Sequence, residues 1–106
     1  MPEQLIDLRA DYQQIVRDIL NKHVPDREVW AFGSRARWRA KPFSDLDLAI
    51  ITDQALDWCD SAALADDFSE FDRPFKVDLV DWAATSEAFR KIIERDRVVL
   101  QNSGRG

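Results

Sequence analysis

Residues 33–48 read GSRARWRAKPFSDLDL and join the apolar run VWAF (29–32) to a second run, LDLAII (46–51). Short apolar runs bounded by turn residues indicate buried strands. The second run opens with Asp45 and Asp47, which strand alternation places on one face. Two carboxylates about 5 Å apart repel by roughly 3 kcal/mol at an effective dielectric near 20. The pattern therefore predicts a neutralising group: a shared proton, an arginine or a divalent cation.

The length of 106 residues and the hydrophobic content of 45% predict a single domain, 1–101, followed by a flexible tail, 102–106. Cys59 is the one cysteine, which excludes an internal disulfide and a cysteine-rich zinc site. No apolar run approaches the roughly 20 residues of a membrane span. The first residues also lack the basic and apolar regions of a signal peptide. Together these features predict a cytoplasmic protein.

The net charge of −5 argues against a general nucleic-acid binder, which usually presents a basic face. The segment 35–41 departs from this acidic background, because it carries the cations Arg35, Arg37, Arg39 and Lys41. Such a local basic site is suited to a small polyanion.

Hydrophobic periodicity predicts the element order α-β-(turn)-β-α-β-α-β. The predicted helices are 3–23, 57–71 and a last helix capped by Thr85 or Ser86; the strands are 28–32, 46–52, 75–80 and 97–100; the turn is 36–39. This order implies an α/β (α+β) fold in which a small mixed sheet is flanked by helices.

A third aspartate, Asp78, lies in the strand 75–80. The helix before it makes a β-α-β crossover, which places this strand parallel to the Asp45/Asp47 strand or one strand away. The three aspartates would then converge. Hard oxygen ligands suit Mg²⁺, which takes the rest of its shell from water and phosphates. Two such ions can stabilise the attacking and leaving oxygens of nucleotidyl transfer.

Gly33 and Ser34 supply the complementary part of this site. Glycine allows a phosphate to approach the backbone closely, and the N–H groups that follow can bind an anion. The Ser34 hydroxyl can donate to a phosphate oxygen, while Arg35 and Arg37 would neutralise the outer phosphates. The pattern predicts triphosphate at Gly-Ser, metal at Asp-x-Asp, and attack at the α-phosphorus.

The pair Gly33-Ser34, followed after ten residues by Asp45-Leu46-Asp47-Leu48, resembles the signature of the nucleotidyltransferase superfamily with the polymerase β palm fold. Residues 33–47 resemble in particular the minimal nucleotidyltransferase (MNT) domain proteins, and the run VDLVD at 77–81 looks like their third-carboxylate strand. The resemblance covers residues 5–101. It implies that Gly33 and Ser34 bind phosphate, that Asp45 and Asp47 bind metal, and that Asp78 is the third acidic residue.

The resemblance also implies a function. MNT proteins are typically encoded beside a small helical protein of the HEPN type, and several such pairs are toxin–antitoxin systems. The expected activity is Mg²⁺-dependent transfer of AMP from ATP to a tyrosine of the HEPN toxin, with this chain as the antitoxin. A chain this short has no separate acceptor-binding domain, so we expect a hetero-oligomer in which the partner completes the site. The alternatives are a non-catalytic antitoxin that masks its partner and a nucleotide-sensing module.

Trp38 is a departure from the family pattern. The motif usually reads Gly-Ser-x-Ala-x-Gly, and Trp38 occupies the position of the last glycine. The tryptophan either packs over the turn or contacts a base or a partner. If the position requires a positive φ, catalysis would be impaired. Asp81, on the opposite strand face from Asp78, is predicted to be a strand-end cap, and His23 a helix cap or surface residue.

Overall fold

The computed structural model describes residues 5–102 and contains a four-stranded mixed sheet. Its strands are β1 (Glu28–Phe32), β2 (Leu46–Ile51), β3 (Val77–Asp81) and β4 (Val98–Gln101). Their order across the sheet is β3-β2-β1-β4. β1 pairs antiparallel with both β2 and β4, whereas β2 and β3 are parallel. The predicted small mixed sheet is therefore confirmed.

Helices cover both faces of the sheet. They are α1 (Ala10–His23), α2 (Trp58–Glu70) and α3 (Glu87–Asp96), with a short 3₁₀ turn at Trp82–Ala84. The larger core lies on the face of α1 and α2 and includes the alternate β2 side chains Leu46, Leu48 and Ile50. A smaller core on the other face contains Trp30, Phe32, Ala49 and Ile93. Because side chains alternate along a strand, Asp47 shares the α3 face with Ala49.

Local capping explains where the later helices begin. The Asp57 carboxylate accepts from the Cys59 N–H at the start of α2, and Ser86 caps α3 by accepting from the Phe89 N–H. α2 is the crossover between the parallel strands β2 and β3, as the sequence predicts. β3 begins at Val77 rather than at residue 75.

The first helix begins at Ala10, so the prediction of a helix over 3–23 is wrong for residues 5–9; residues 1–4 lie outside the described part. Asp7 explains the difference. Its N–H donates to the carbonyl of Arg35 (2.8 Å), and its own carbonyl accepts from Arg35 Nη1 (2.7 Å). Ile6 and Leu8 are buried in the larger core. These contacts hold the segment against the loop after β1, a position that a continuous helix would not reach.

Of the predicted tail, 102–106, residues 103–106 lie outside the described part of the chain. Within residues 5–102, no helix is long and apolar enough to cross a membrane. The tryptophans differ in their surroundings. Trp30 is buried and packs edge-on against Trp82, with ring centroids 5.3 Å apart, while Trp58 is 82% exposed.

Candidate active site

Asp47 and Asp78 lie side by side on neighbouring strands. They are register partners in the parallel pair β2–β3, and their side chains are within hydrogen-bonding reach. Asp47 is partly buried and Asp78 is exposed. Burial, together with the charges of Asp78 and Asp45, raises the pKa of Asp47 to about 6. The ionised pair is thus an unfavourable arrangement that a proton or a cation would relieve.

Asp45 is exposed and lies immediately before the first residue of β2. It is close enough for its charge to raise the pKa of Asp47. Within residues 5–102, however, no three His, Cys, Asp or Glu side chains are grouped tightly enough to hold a metal ion. The predicted convergence therefore centres on the Asp47–Asp78 pair, with Asp45 at its edge. This set of carboxylates fits a hard divalent cation that draws further ligands from phosphate and water.

The turn after β1 lies directly against Asp47. Gly33 has φ +79°, and a Cβ at this position would clash with Asp47 Oδ2. Glycine is therefore required both by its backbone angle and by the close approach of the carboxylate. The turn is closed by the Arg37 N–H, which donates to the Gly33 carbonyl (3.1 Å), and by the Arg39 N–H, which donates to the Ser34 carbonyl (2.9 Å). Gly33 thus stands next to the Asp47 carboxylate, and Ser34 follows it in the same turn.

The Arg35 side chain points into the protein and not towards solvent, contrary to its predicted role in binding phosphate. Its side chain is buried, and its nitrogens donate to three backbone carbonyls, those of Asp7, Pro42 and Ser44. Its guanidinium also stacks on the Phe75 ring, with Cζ 4.7 Å from the centroid. Burial lowers the pKa of Arg35. Arg35 therefore orders the loop 33–45, whereas Arg37 is exposed and remains open to a ligand.

Trp38 adopts a left-handed backbone conformation. Its φ is +59°, which is uncommon for a residue with a side chain, and its ring is 52% exposed. The position thus has the backbone angle that a glycine would adopt at little cost. About half of the residue is covered, so both predicted roles of Trp38, packing over the turn and contact with a base or a partner, stay predictions.

Two further aspartates, Asp81 and Asp96, lie outside the predicted site and have defined partners. Asp81 caps the 3₁₀ turn by accepting from the Ala83 N–H, and it also accepts from the Leu56 N–H, which confirms its predicted capping role. Asp96, the last residue of α3, lies beside the Gly33 N–H and near Arg37. Sequence reasoning missed Asp96 because no motif links the end of α3 to the turn after β1.

The fold is that of a nucleotidyltransferase. The sequence pattern of the family "Polymerase beta, Nucleotidyltransferase" matches residues 5–105. The chain belongs to this family.

Particular relatives give a closer comparison. The chain is 51% identical to the probable protein adenylyltransferase MntA of Haemophilus influenzae over 96 residues, which make up 91% of this chain and 84% of that protein. A solved toxin–antitoxin structure with AMP-PNP has a TM-score of 0.70 at 24% identity, covering 85% of this chain and 73% of the other. A complex of the tri-AMPylated HEPN toxin of Shewanella oneidensis with its MNT antitoxin gives 0.63 at 23% identity, covering 85% and 69%. The two structural similarities show the shared fold.

Proposed function

We propose that this chain is a Mg²⁺-dependent protein adenylyltransferase that transfers AMP from ATP to a hydroxyl of a HEPN-type toxin and so acts as its antitoxin. The observation that carries the proposal is the repelling Asp47–Asp78 pair, placed against the Gly33 turn. The identity of 51% with the probable protein adenylyltransferase MntA supports the same activity and the same class of acceptor.

Each residue of the site has a role in this proposal. Gly33 and Ser34 bind the β and γ phosphates, and Arg37 binds the outer phosphate oxygens. Asp45 and Asp47, with Asp78, would hold Mg²⁺, which supplies charge neutralisation at the triphosphate. Arg35 is left out of the phosphate-binding set because its nitrogens are committed to backbone carbonyls.

The chemical step is a single displacement at phosphorus. The acceptor hydroxyl oxygen forms a bond to the α-phosphorus, the bond from that phosphorus to the bridging oxygen breaks, and pyrophosphate leaves. Asp78 is exposed, so an acceptor hydroxyl can reach it and pass its proton to the carboxylate. The fold provides the nucleotide side of the site, and the partner provides the acceptor.

The proposal is tested with purified chain, its HEPN-type partner, Mg²⁺ and ATP labelled on the α-phosphate. We expect label on the partner, and we expect it to disappear with the Asp45→Ala variant. Asp66→Ala, which changes an exposed aspartate of α2, is the matched control and should retain labelling. An unlabelled partner that is nevertheless fully inhibited in a stable complex would overturn the enzymatic proposal in favour of a masking antitoxin.

A further inference from the structure

Asp96 connects the end of α3 to the turn after β1. Its side chain is only 5% exposed, and its carboxylate Oδ1 lies 3.0 Å from Arg95 Nε and 3.9 Å from Arg37 Nε. The same carboxylate is next to the N–H of Gly33. A nearly buried carboxylate requires partners, and here two of the three belong to the proposed nucleotide-binding turn.

These contacts act on both ends of one turn. Gly33 opens the turn and Arg37 closes it, since the Arg37 N–H donates to the Gly33 carbonyl. Asp96 therefore lies beside the backbone of the first position and forms an ion pair with the side chain of the last. Among the described residues the Arg37 guanidinium makes no hydrogen bond, and its ion pair with Asp96 is made through Nε. The two terminal nitrogens of Arg37 stay available to an anion.

We propose that Asp96 is a positioning residue for nucleotide binding: it holds the Gly33 turn and aims Arg37 at the phosphates. This inference rests on the proposed function, since it assumes that the turn binds a nucleoside triphosphate. Asp96 touches no reacting atom and acts through Gly33 and Arg37.

The charge of Asp96 is compatible with a neighbouring anion-binding turn. Hydrogen bonding from Arg95, with smaller contributions from the charges of Arg95 and Arg37 and from the Gly33 N–H, lowers the pKa of Asp96, so the carboxylate is ionised at neutral pH. The two arginines offset its charge.

The test measures ATP binding by isothermal titration calorimetry, which does not depend on transfer to a partner. We compare wild type with Asp96→Ala, Asp96→Asn, Arg37→Ala and the double variant Asp96→Ala/Arg37→Ala. Asp67→Asn is the matched control, because Asp67 also forms ion pairs, with Lys22 and His23, but near the opposite end of β1. Thermal unfolding of each variant identifies any that fail to fold, and Asp96→Asn keeps the shape of the side chain if Asp96→Ala does not fold.

We expect Asp96→Ala to weaken ATP binding about tenfold, the equivalent of about 1.4 kcal/mol, and Asp96→Asn to weaken it less. In the Arg37→Ala background the same change should have a smaller effect, because Arg37, one of the two residues through which Asp96 acts, is gone. A merely structural Asp96 would give additive effects in the double variant, and that result would overturn the inference.

Unchanged or tighter ATP binding by Asp96→Ala would also overturn the inference, whether or not the wild type modifies its partner. Wild-type protein that binds ATP in an Asp96-dependent way but transfers no AMP would contradict the proposed function alone. Wild-type protein that binds no ATP would contradict both.

Discussion

Asp47 is the residue at which the electrostatics of the site are most strained. Burial and the neighbouring aspartates raise its pKa from 3.8 to about 6. A carboxyl with a raised folded-state pKa keeps a proton that the unfolded chain has already released. The free energy of unfolding therefore falls as the pH rises from about 4 to about 6, and it stays lower above that range.

Replacing Asp47 with asparagine should remove this penalty. Without Mg²⁺ at pH 7.5, we expect Asp47→Asn to raise the free energy of unfolding by about 1–2 kcal/mol, a value reduced for the partial exposure of the site. The gain should vanish near pH 3.5. Urea titrations at both pH values measure it, with Asp66→Asn as the exposed control. A variant that is equally or less stable than wild type at pH 7.5 would contradict the account of this pair.

Trp38 is a second residue whose own conformation is strained, in this case in the backbone. Its φ of +59° costs a residue with a Cβ about 1–2 kcal/mol, whereas glycine pays no such cost but loses more freedom on folding. We expect Trp38→Gly to be more stable than Trp38→Ala by about 1 kcal/mol in chemical denaturation. Both variants lose the ring, so their difference isolates the backbone angle. Equal stabilities would show that the turn relaxes without strain.

At the scale of elements, Arg35 joins the segment before α1 to the loop before β2. Lysine cannot reach the three carbonyls that the planar guanidinium serves. We expect Arg35→Lys to lower the free energy of unfolding by about 2–3 kcal/mol, because buried carbonyls lose their donors. Arg39→Lys, an exposed change in the same loop, should be neutral within about 0.5 kcal/mol. Similar stabilities of these two variants in urea would rule out the ordering role of Arg35.

The elements themselves were largely predictable, because local patterns determine them. Alternation predicted β2, helical spacing predicted a helix from residue 57, and Thr85 or Ser86 was predicted to cap α3, a role that Ser86 has in the structure. The β-α-β rule left the strand of Asp78 either parallel to that of Asp47 or one strand away, and the structure shows that the two strands are parallel neighbours. The start of α1 was not predictable, because helical spacing of apolar residues continues through 5–8 while a distant contact with Arg35 decides the conformation.

The residue types of the site could be predicted from the sequence, but the role of each residue could not. The Gly33 turn and the aspartates follow from short-range motifs. Whether an arginine faces a ligand or the core depends on packing. Arg35 is buried and stabilises the loop. Asp96 is brought to Gly33 only by the tertiary arrangement of α3, and no pattern in the chain indicates that contact.

At the scale of the whole molecule, our proposal is that the chain presents one side of a reaction that needs a second protein. The carboxylates, the Gly33 turn and Trp38 lie at one exposed region, and large apolar side chains such as Phe43 (74% exposed) lie nearby in the same loop. In our proposal the HEPN-type partner covers this region and brings the acceptor hydroxyl to the α-phosphorus. The single-domain prediction, 1–101, stays a prediction.

The most direct measurement is the intact mass of the HEPN-type partner after co-expression with this chain. We predict that the partner carries one or more added AMP groups with wild-type chain, and none with Asp47→Ala, although the two proteins still form a complex. Asp66→Ala should give the same modification as wild type. An unmodified partner with wild-type chain, or equal modification with Asp47→Ala, would contradict the claim that this carboxylate pair transfers AMP.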